Sequence, residues 1–302
     1  MKLHKSVIVL MMVLVLGLAL SLPALAQQAK GGHDETSEVN NPRWANGAPT
    51  PGVAPALTAV HLLISEFAVA GSEREFAEIY NPTSEPVDLS KYYLTDALYT
   101  TGGIFSYYSY PSGTYQITTN TDFCSRFPAG ASIAPGAAIV VALYGPGIDS
   151  VYGAGTADYE VTFASPTIPD MINVGNNLPV ISAGATTLTN GSEFLMLFFW
   201  DGISDNVCDV DYVTWGSATT TSRVDKTGLS CDGPDIDVIA TVYNNDTASA
   251  LQSSVTAPAA PNSSARVLLP EGVEAANGNG CIAGGPTAVT TSTWGQIKTL
   301  YR

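Results

Sequence analysis

The sequence predicts an all-β protein whose strands form a β-sandwich or a barrel. Short apolar runs rich in Val, Ile, Thr and Tyr are separated by turn residues, which is the spacing of strands in these two architectures. The 28 Gly and 19 Pro interrupt the chain too often for long helices but are too few for low-complexity disorder. We therefore predict no amphipathic helix before the C-terminus.

The first 26 residues have the organisation of a secretory signal peptide. Lys2 and Lys5 precede 14 apolar residues, Val7 to Leu20, and Ala24-Leu25-Ala26 supplies small residues for cleavage. The apolar run is shorter than the roughly 20 residues that span a bilayer. We expect cleavage after Ala26, no stable membrane insertion afterwards, and an extracellular, periplasmic or cell-surface location.

Residues 27–58 follow this segment and lack any periodicity. They are rich in Gly, Pro, Asn and Ala, so they cannot bury enough apolar surface to offset the entropy of ordering. We predict a disordered linker.

Eight apolar runs are predicted to be strands of a single domain over residues 59–270. They lie at 60–69, 75–80, 91–96, 137–144, 193–200, 210–215, 237–243 and 265–269. The runs at 137–144 and 193–200 are apolar without alternation, which is typical of strands buried on both faces. Residues 97–126 and 145–192 exceed ordinary connections and are interpreted as two insertions.

The charge of the chain argues against a nucleic-acid partner. The net charge is −15, and without Lys2 and Lys5 the exported part keeps ten basic and 27 acidic residues, a charge of −17. Because the basic residues are scattered, no cluster is available to contact a phosphate backbone.

Four cysteines, Cys124, Cys208, Cys231 and Cys281, lie in the exported part. An even number in an oxidising compartment predicts two disulfides, for which three connectivities are open. We favour Cys208 with Cys231, which closes a modest loop and leaves Cys124 with Cys281. No C-x-x-C motif indicates a zinc or redox site.

Two segments resemble the lamin tail domain in its bacterial secreted form. Ile64 to Asp96 contains a strand with Ile-Ser-Glu, a Glu-Phe-x-Glu-Ile-x-Asn strand and the turn Asn81-Pro82-Thr83. Phe127 to Ala142 contains a Pro-Gly turn before an apolar strand, while 193–216 is similar to the family's hairpin and 263–267 to its closing strand. The resemblance implies an immunoglobulin-like sandwich without catalytic residues, in an exported protein that binds or tethers.

Glu78 is an acid in an apolar setting. In regular alternation it shares a strand face with Phe76 and Tyr80. A buried carboxylate is costly unless it accepts hydrogen bonds. We predict that backbone N–H groups of a nearby turn satisfy it, and the alternative is a ligand-binding acid.

Asp201, Asp205, Asp209 and Asp211 are candidate calcium ligands within eleven residues. Their spacing does not match an EF-hand loop, and a solvated acidic hairpin is the favoured interpretation. We predict that Asp209 and Asp211 share a strand face. No metal or other cofactor is predicted, and Ca²⁺ binding by a calcium-dependent adhesion module is kept as an alternative.

Tyr107, Tyr108 and Tyr110 form the predicted binding surface. They stand among Ser and Gly in the first insertion, a composition typical of binding loops. In a strand, at least one of these rings would be exposed. The opposing interpretation is a hairpin whose tyrosines cover the edge of the sandwich.

The chain carries no G-x-S-x-G, H-E-x-x-H or P-loop motif, so no catalytic residue is assigned. We predict a non-catalytic module that binds an extracellular protein or glycan. A secreted hydrolase of glycans or esters, with carboxylates in the insertions, is the alternative. The tail, 271–302, places Trp294, Ile297 and Tyr301 at helical spacing in a short amphipathic segment.

Overall fold

The computed structural model describes residues 61–98, 106–113, 122–174, 187–217, 223–252 and 254–266, together with the backbone of Val289–Ser292. The predicted signal peptide, the linker, Cys281 and the amphipathic segment of the tail lie outside these residues. The strands in the described part of the chain are β1 (Leu63–Ala68), β2 (Phe76–Tyr80), β3 (Val87–Asp88), β4 (Tyr92–Thr95), β5 (Cys124–Arg126), β6 (Ser132–Ile133), β7 (Ala138–Ala142), β8 (Tyr159–Glu160), β9 (Ile172–Asn173), β10 (Glu193–Phe199), β11 (Cys208–Trp215), β12 (Ser230–Cys231), β13 (Thr241–Val242), β14 (Ser263–Arg266) and β15 (Val289–Ser292).

The strands confirm the prediction of an all-β sandwich. Within the described ranges, one sheet has the order β15-β14-β1-β2-β7-β8 and the other the order β11-β10-β4-β5-β9. Pairing within these sheets is antiparallel except between β7 and β8. Two smaller sheets pair β12 with β13 and β3 with β6.

The main core lies between the two large sheets. Alternate side chains of β1, β2 and β7 meet those of β10 and β11 there. Phe67 of β1 stacks on Trp215 of β11 with ring centroids 5.1 Å apart. A face lined in this way excludes water from both sheets and supplies most of the hydrophobic stabilisation.

The outer face of each large sheet is also covered, in each case by an insertion. Helix α1 (Gly145–Tyr152) places Ile148 on the first sheet, and Tyr152 meets Phe76 edge to face. A 3-10 helix, Tyr107–Ser112, covers the second sheet. These covers explain why β7 and β10 are continuously apolar, and they confirm the prediction that both faces of these strands are buried.

Helix α1 corrects the prediction that no amphipathic helix precedes the C-terminus. The sequence Gly145-Pro146-Gly147 is typical of a β-turn. In the structure these three residues are instead the first of the helix, and Pro146 lies in its first helical turn. Proline is tolerated there because the first N–H groups of a helix lack partners within the helix. Glu160 Oε2 accepts one of these N–H groups, from Gly145, at 3.0 Å. No helix of the described residues is long and apolar enough to cross a membrane.

Two other predicted segments differ from the structure. In the run 237–243 only Thr241–Val242 is a strand, and the residues before it form an exposed loop. In the predicted tail, the backbone of Val289–Ser292 pairs with β14 at the edge of the first sheet. An edge strand offers unpaired backbone groups, which a later segment of the chain can bind.

A bulge in β11 changes the direction of two aspartates. Asp211 pairs with Leu197 and Asp209 with Phe198, so Val210 is the extra residue. Asp209 therefore faces the outer cover while Asp211 faces the first sheet. The prediction that Asp209 and Asp211 share a strand face is wrong, because strict alternation ends at the bulge.

Candidate functional site

The three tyrosines of the predicted binding surface belong largely to the core. Tyr107 is 0% and Tyr108 4% exposed, and Tyr110 is half-buried. They lie in a 3-10 helix rather than a strand, so the rings point into the second sheet together instead of to opposite sides. Tyr107 packs on Phe198 and Tyr110 on Trp200. The prediction of an exposed surface is therefore wrong for Tyr107 and Tyr108. The tyrosines cover the sandwich, as the opposing interpretation held, but from a 3-10 helix on the outer face of the second sheet rather than from a hairpin at its edge.

The four candidate calcium ligands are distributed over separate places. Asp201 accepts hydrogen bonds from the N–H groups of Ile203 and Ser204, each at 2.8 Å, and so closes its own turn. Asp205 accepts the N–H of Gly233 at 2.7 Å. Among the described residues no group of three or more His, Cys, Asp or Glu side chains is arranged to hold a metal ion. The acidic hairpin is also not simply solvated, since Asp205, Asp209 and Asp211 are all buried.

The Asp211 carboxylate connects the two large sheets by a hydrogen bond and an ion pair. Its Oδ2 accepts the N–H of Ile64 at 2.7 Å and the Arg266 guanidinium at 2.7 Å. Both side chains of this ion pair are buried. The pair links β11 of one sheet to β1 and β14 of the other.

Asp209 belongs to what we call the Lys226 cluster, which consists of Lys226, Asp209, Asp246, Tyr107 and Tyr243. Lys226 is fully buried, and its Nζ lies 2.6 Å from Asp209 Oδ2 and 3.5 Å from Asp246 Oδ2. Nζ also donates to the Tyr107 hydroxyl at 3.1 Å, and that hydroxyl donates to Asp209 Oδ1 at 2.8 Å. The rings of Tyr107 and Tyr243 lie within 6 Å of Nζ, so the cation is enclosed by aromatic faces.

Burial sets the protonation of the cluster. It raises the pKa of Tyr107 well above its usual value, and the nearby Asp209 carboxylate adds to the effect, so the phenol stays protonated. Burial also raises the pKa of Asp246 to about 6, although Lys226 opposes the shift. Sequence reasoning missed this cluster, because Lys226 stands in a polar stretch without any motif.

The Lys226 cluster anchors the base of a long hairpin. The backbone N–H of Lys226 donates to Asp246 Oδ2 at 2.6 Å, which closes the segment 226–246. Tyr243 donates its hydroxyl to the carbonyl of Tyr108 at 2.7 Å and accepts the N–H of Val207 at 3.0 Å. The hairpin is thus fixed to the second sheet at its base.

This hairpin exposes what we call the apolar loop, consisting of Ile236, Val238 and Ile239 in its far part together with Val242 of β13. Ile236 is fully exposed, Val238 is 86% and Ile239 73% exposed, and Val242 is also exposed. Asp235 Oδ1 accepts the N–H of Asp237 at 2.9 Å, and Asp237 Oδ1 accepts the N–H of Ile239 at 2.8 Å. These short-range bonds give the backbone of the loop a defined conformation.

The cysteine pairing favoured from the sequence is not formed. Cys208 packs against the core between the sheets, whereas Cys231 packs under the outer cover of the second sheet. Because they lie on opposite sides of that sheet, Cys208 and Cys231 are not joined. The other pairing depends on Cys281, which lies outside the described residues. Burial raises the pKa of the Cys231 thiol to about 11, which lowers its reactivity.

Glu78 is buried and hydrogen-bonded. Ser65, the extra residue of a bulge in β1, donates its hydroxyl to Glu78 Oε1 at 2.8 Å. The expectation of a hydrogen-bonded acid is confirmed, and a side chain that the sequence did not indicate is one of its donors.

The carboxylates of the second insertion accept hydrogen bonds from backbone N–H groups and so order its loops. Glu160 accepts the N–H of Ser165 at 2.5 Å in addition to that of Gly145, and Asp158 accepts the N–H of Val140 at 2.8 Å. Glu160 is fully buried, so a substrate cannot reach it.

A second group of buried acids lies where the loop 187–189 enters β10. Glu75 accepts the N–H groups of Thr187 and Leu188 at 2.9 and 3.3 Å, and Glu193 accepts that of Thr189 at 2.6 Å. Burial raises the pKa of Glu75 to about 7 and that of Glu193 to about 8. Burial and the neighbouring Glu193 also raise the pKa of Asp96.

Comparison with known proteins identifies no family for this chain. The sequence matches no protein-family model, and no curated protein is significantly similar to it. A crystal structure of a DUF4876 family protein from Bacteroides thetaiotaomicron is similar over 54% of this chain and 55% of that one, with 15% identity and a TM-score of 0.35. The similarity thus spans about half of that protein.

Proposed function

We propose that the protein is an exported, non-catalytic module that binds another extracellular protein through the apolar loop. The observation that carries this proposal is the exposure of four aliphatic side chains, those of Ile236, Val238, Ile239 and Val242, on one hairpin. Several exposed aliphatic side chains on one short hairpin are a candidate interaction site, because soluble proteins rarely expose large apolar patches without a partner.

The chemistry of the loop favours a protein over a glycan. Sugars stack on aromatic rings, whereas the exposed side chains here are aliphatic. The acids Asp235 and Asp237 stand next to Ile236 and Val238 of the apolar loop, which suits a partner surface with an apolar pocket and basic residues at its rim.

The structure of the hairpin supports binding with little loss of entropy. The Lys226 cluster fixes its base, and the hydrogen bonds of Asp235 and Asp237 hold its far part. A loop that is already ordered loses less conformational freedom on association. The resemblance to lamin tail domains, which bind or tether in exported proteins, points in the same direction.

Export is tested by the N-terminus of the mature protein. We expect N-terminal sequencing of material from the culture medium or cell surface to begin at Gln27-Gln28. Recovery of the chain in the membrane with Met1 retained would contradict export by cleavage.

Binding is tested with a variant that carries Ile236→Ser, Val238→Ser and Ile239→Ser together. Immobilised wild-type mature protein is expected to enrich specific proteins from the medium and cell-envelope fractions of the producing cells, and the variant is expected to lose them. Thermal stability should stay nearly unchanged, because exposed substitutions usually change the free energy of unfolding by no more than about 0.5 kcal/mol.

Phe163→Ser is the matched control, since it also removes an exposed apolar side chain but lies in the insertion that covers the other sheet. It should retain the enriched proteins. Equal enrichment by the triple variant and the wild type would refute the apolar loop as the binding surface.

A further inference from the structure

The Lys226 cluster brings an amine and a carboxyl carbon into reacting range inside the protein. Lys226 Nζ lies 2.6 Å from Asp209 Oδ2, which is bonded to Cγ, the carbon that an amine attacks. Reacting groups held about 3 to 3.5 Å apart react as if at concentrations far above those possible in solution. We propose that Lys226 and Asp209 form an intramolecular amide bond between Nζ and Cγ.

The reaction is a condensation that releases one water molecule. One proton of the Lys226 ammonium passes to Asp209 and leaves an amine beside a carboxylic acid. The amine lone pair attacks Cγ, a second proton moves from Nζ to Oδ2, and the third stays on the amide nitrogen. The Nζ–Cγ bond forms, the Cγ–Oδ2 bond breaks, and Oδ2 leaves as water.

The two reacting groups are enclosed away from water. Desolvation penalises charged groups, so transfer of a proton from an ammonium to a carboxylate costs less inside a protein than in water. Lys226 is 0% and Asp209 2% exposed, and two tyrosine rings close the space around Nζ. The same enclosure protects the amide from hydrolysis.

Tyr107 is placed to stabilise the negative charge that develops during attack. Its hydroxyl donates to Asp209 Oδ1 at 2.8 Å, and Oδ1 is the oxygen that becomes an oxyanion when Nζ bonds to Cγ. Because burial keeps this phenol protonated, it remains a donor throughout the reaction.

Asp246 is placed to move the second proton. Its Oδ2 lies 3.5 Å from Nζ, and its Oδ1 is buried without a hydrogen-bond partner among the described residues. A carboxyl group that titrates near neutral pH takes up and returns a proton readily. Asp246 thus accepts the proton from Nζ, delivers it to the leaving oxygen and ends unchanged.

The amide would tie the base of the hairpin that carries the apolar loop to β11. Lys226 begins the segment 226–246, and Asp209 lies on β11 of the second sheet. A cross-link there keeps the hairpin attached under load or at high temperature, because it cannot separate from the sheet without breaking a covalent bond.

Mass spectrometry of the purified wild-type mature protein tests the amide without any variant. After reduction and alkylation, the intact mass is expected to be lower than the sequence mass by one water. Trypsin should fail to cleave after Lys226, because an acylated lysine lacks the charge the protease recognises. The peptides containing Lys226 and Asp209 should be recovered joined, again lighter than their sum by one water.

Three variants test the role of each side chain in forming the amide. Lys226→Met removes the nucleophile and is expected to show its full sequence mass. Tyr107→Phe removes the oxyanion donor together with one acceptor for Nζ, and Asp246→Asn removes the proton relay together with its charge beside Nζ; each is expected to slow formation of the bond by about 100-fold or more. Circular dichroism shows which variants are folded when the measurement is made.

Recovery of the Lys226 and Asp209 peptides unmodified from folded wild-type protein would overturn the proposal and leave an ion pair. A link from Lys226 to Asp246 instead of Asp209 would also overturn it. Cross-linking of folded Tyr107→Phe and Asp246→Asn at the wild-type rate would overturn the roles given to those two groups.

Discussion

Buried charges in this protein are paired across elements that are distant in sequence. Asp211 contacts Arg266 and the backbone of Ile64, and Asp209 contacts Lys226. Such pairs contribute little net stability relative to apolar replacements, but removal of one partner leaves a buried charge without compensation. Their main effect is therefore to fix which strands meet.

Arg266→Met tests this at the residue scale. It removes the guanidinium that pairs with the buried Asp211 carboxylate, so the free energy of unfolding is expected to fall by about 3 to 5 kcal/mol. Urea denaturation measures the change. Glu85→Gln, at an exposed position, is the control and should stay within about 0.5 kcal/mol of the wild type. A loss below about 1 kcal/mol for Arg266→Met would show that this pair does not hold the sheets together.

Tyr108 provides a second test, of the corrected role of the first insertion. Because the ring is buried within the outer cover of the second sheet, Tyr108→Ala is expected to lower the free energy of unfolding by about 3 to 5 kcal/mol, as for other large aromatic residues in a core. Thermal and urea unfolding measure the loss. A variant as stable as the wild type would restore the surface interpretation of this tyrosine.

At the scale of elements, the insertions serve as covers. Without helix α1 and the 3-10 helix, the apolar outer faces of β7 and β10 would meet water. The structure thus has four layers rather than the two of a simple sandwich.

The ends of β10 and β11 approach closely at Gly216, which has φ +73. A Cβ there would lie 2.1 Å from the carbonyl oxygen of Gly191, so Gly216→Ala should force these ends apart and lower the free energy of unfolding by several kcal/mol. Gly202, with φ +90, has nothing within 4 Å of its Cβ position, and Gly202→Ala should cost only the conformational strain of about 1 to 2 kcal/mol. Equal losses for the two variants, measured by urea unfolding, would contradict a steric role for Gly216.

For the whole molecule, the buried acids predict how stability depends on pH. Burial raises the pKa values of Glu75 and Glu193 in the folded state to about 7 and 8, above their value of 4.5 in the unfolded chain. The folded state therefore binds protons more tightly, and this contribution is complete below pH 4.5 and lost as the pH rises to 8. The free energy of unfolding should decrease between about pH 5 and pH 9.

Glu193→Gln is the matched variant for this prediction. The amide mimics the protonated acid and can still accept the N–H of Thr189, so the variant should be more stable than the wild type near pH 9 and depend less on pH. Urea titrations at several pH values measure both effects. Stability that rises from pH 5 to pH 9 in the wild type would show that these acids are ionised in the folded protein.

The sequence alone determined the all-β class and the strands that form the core, because strand propensity, turn residues and apolar runs are local properties of the chain. The continuous runs at 137–144 and 193–200 even predicted burial of both faces. The partners of charged and cysteine residues were not predictable, since Arg266 of β14 meets Asp211 of β11 only because the two large sheets pack together, and Lys226 meets Asp209 only because the segment before β12 folds against β11. The bulge at Val210 shows the physical reason: one extra residue reverses the direction of a side chain, and only the register against β10 determines where that residue lies.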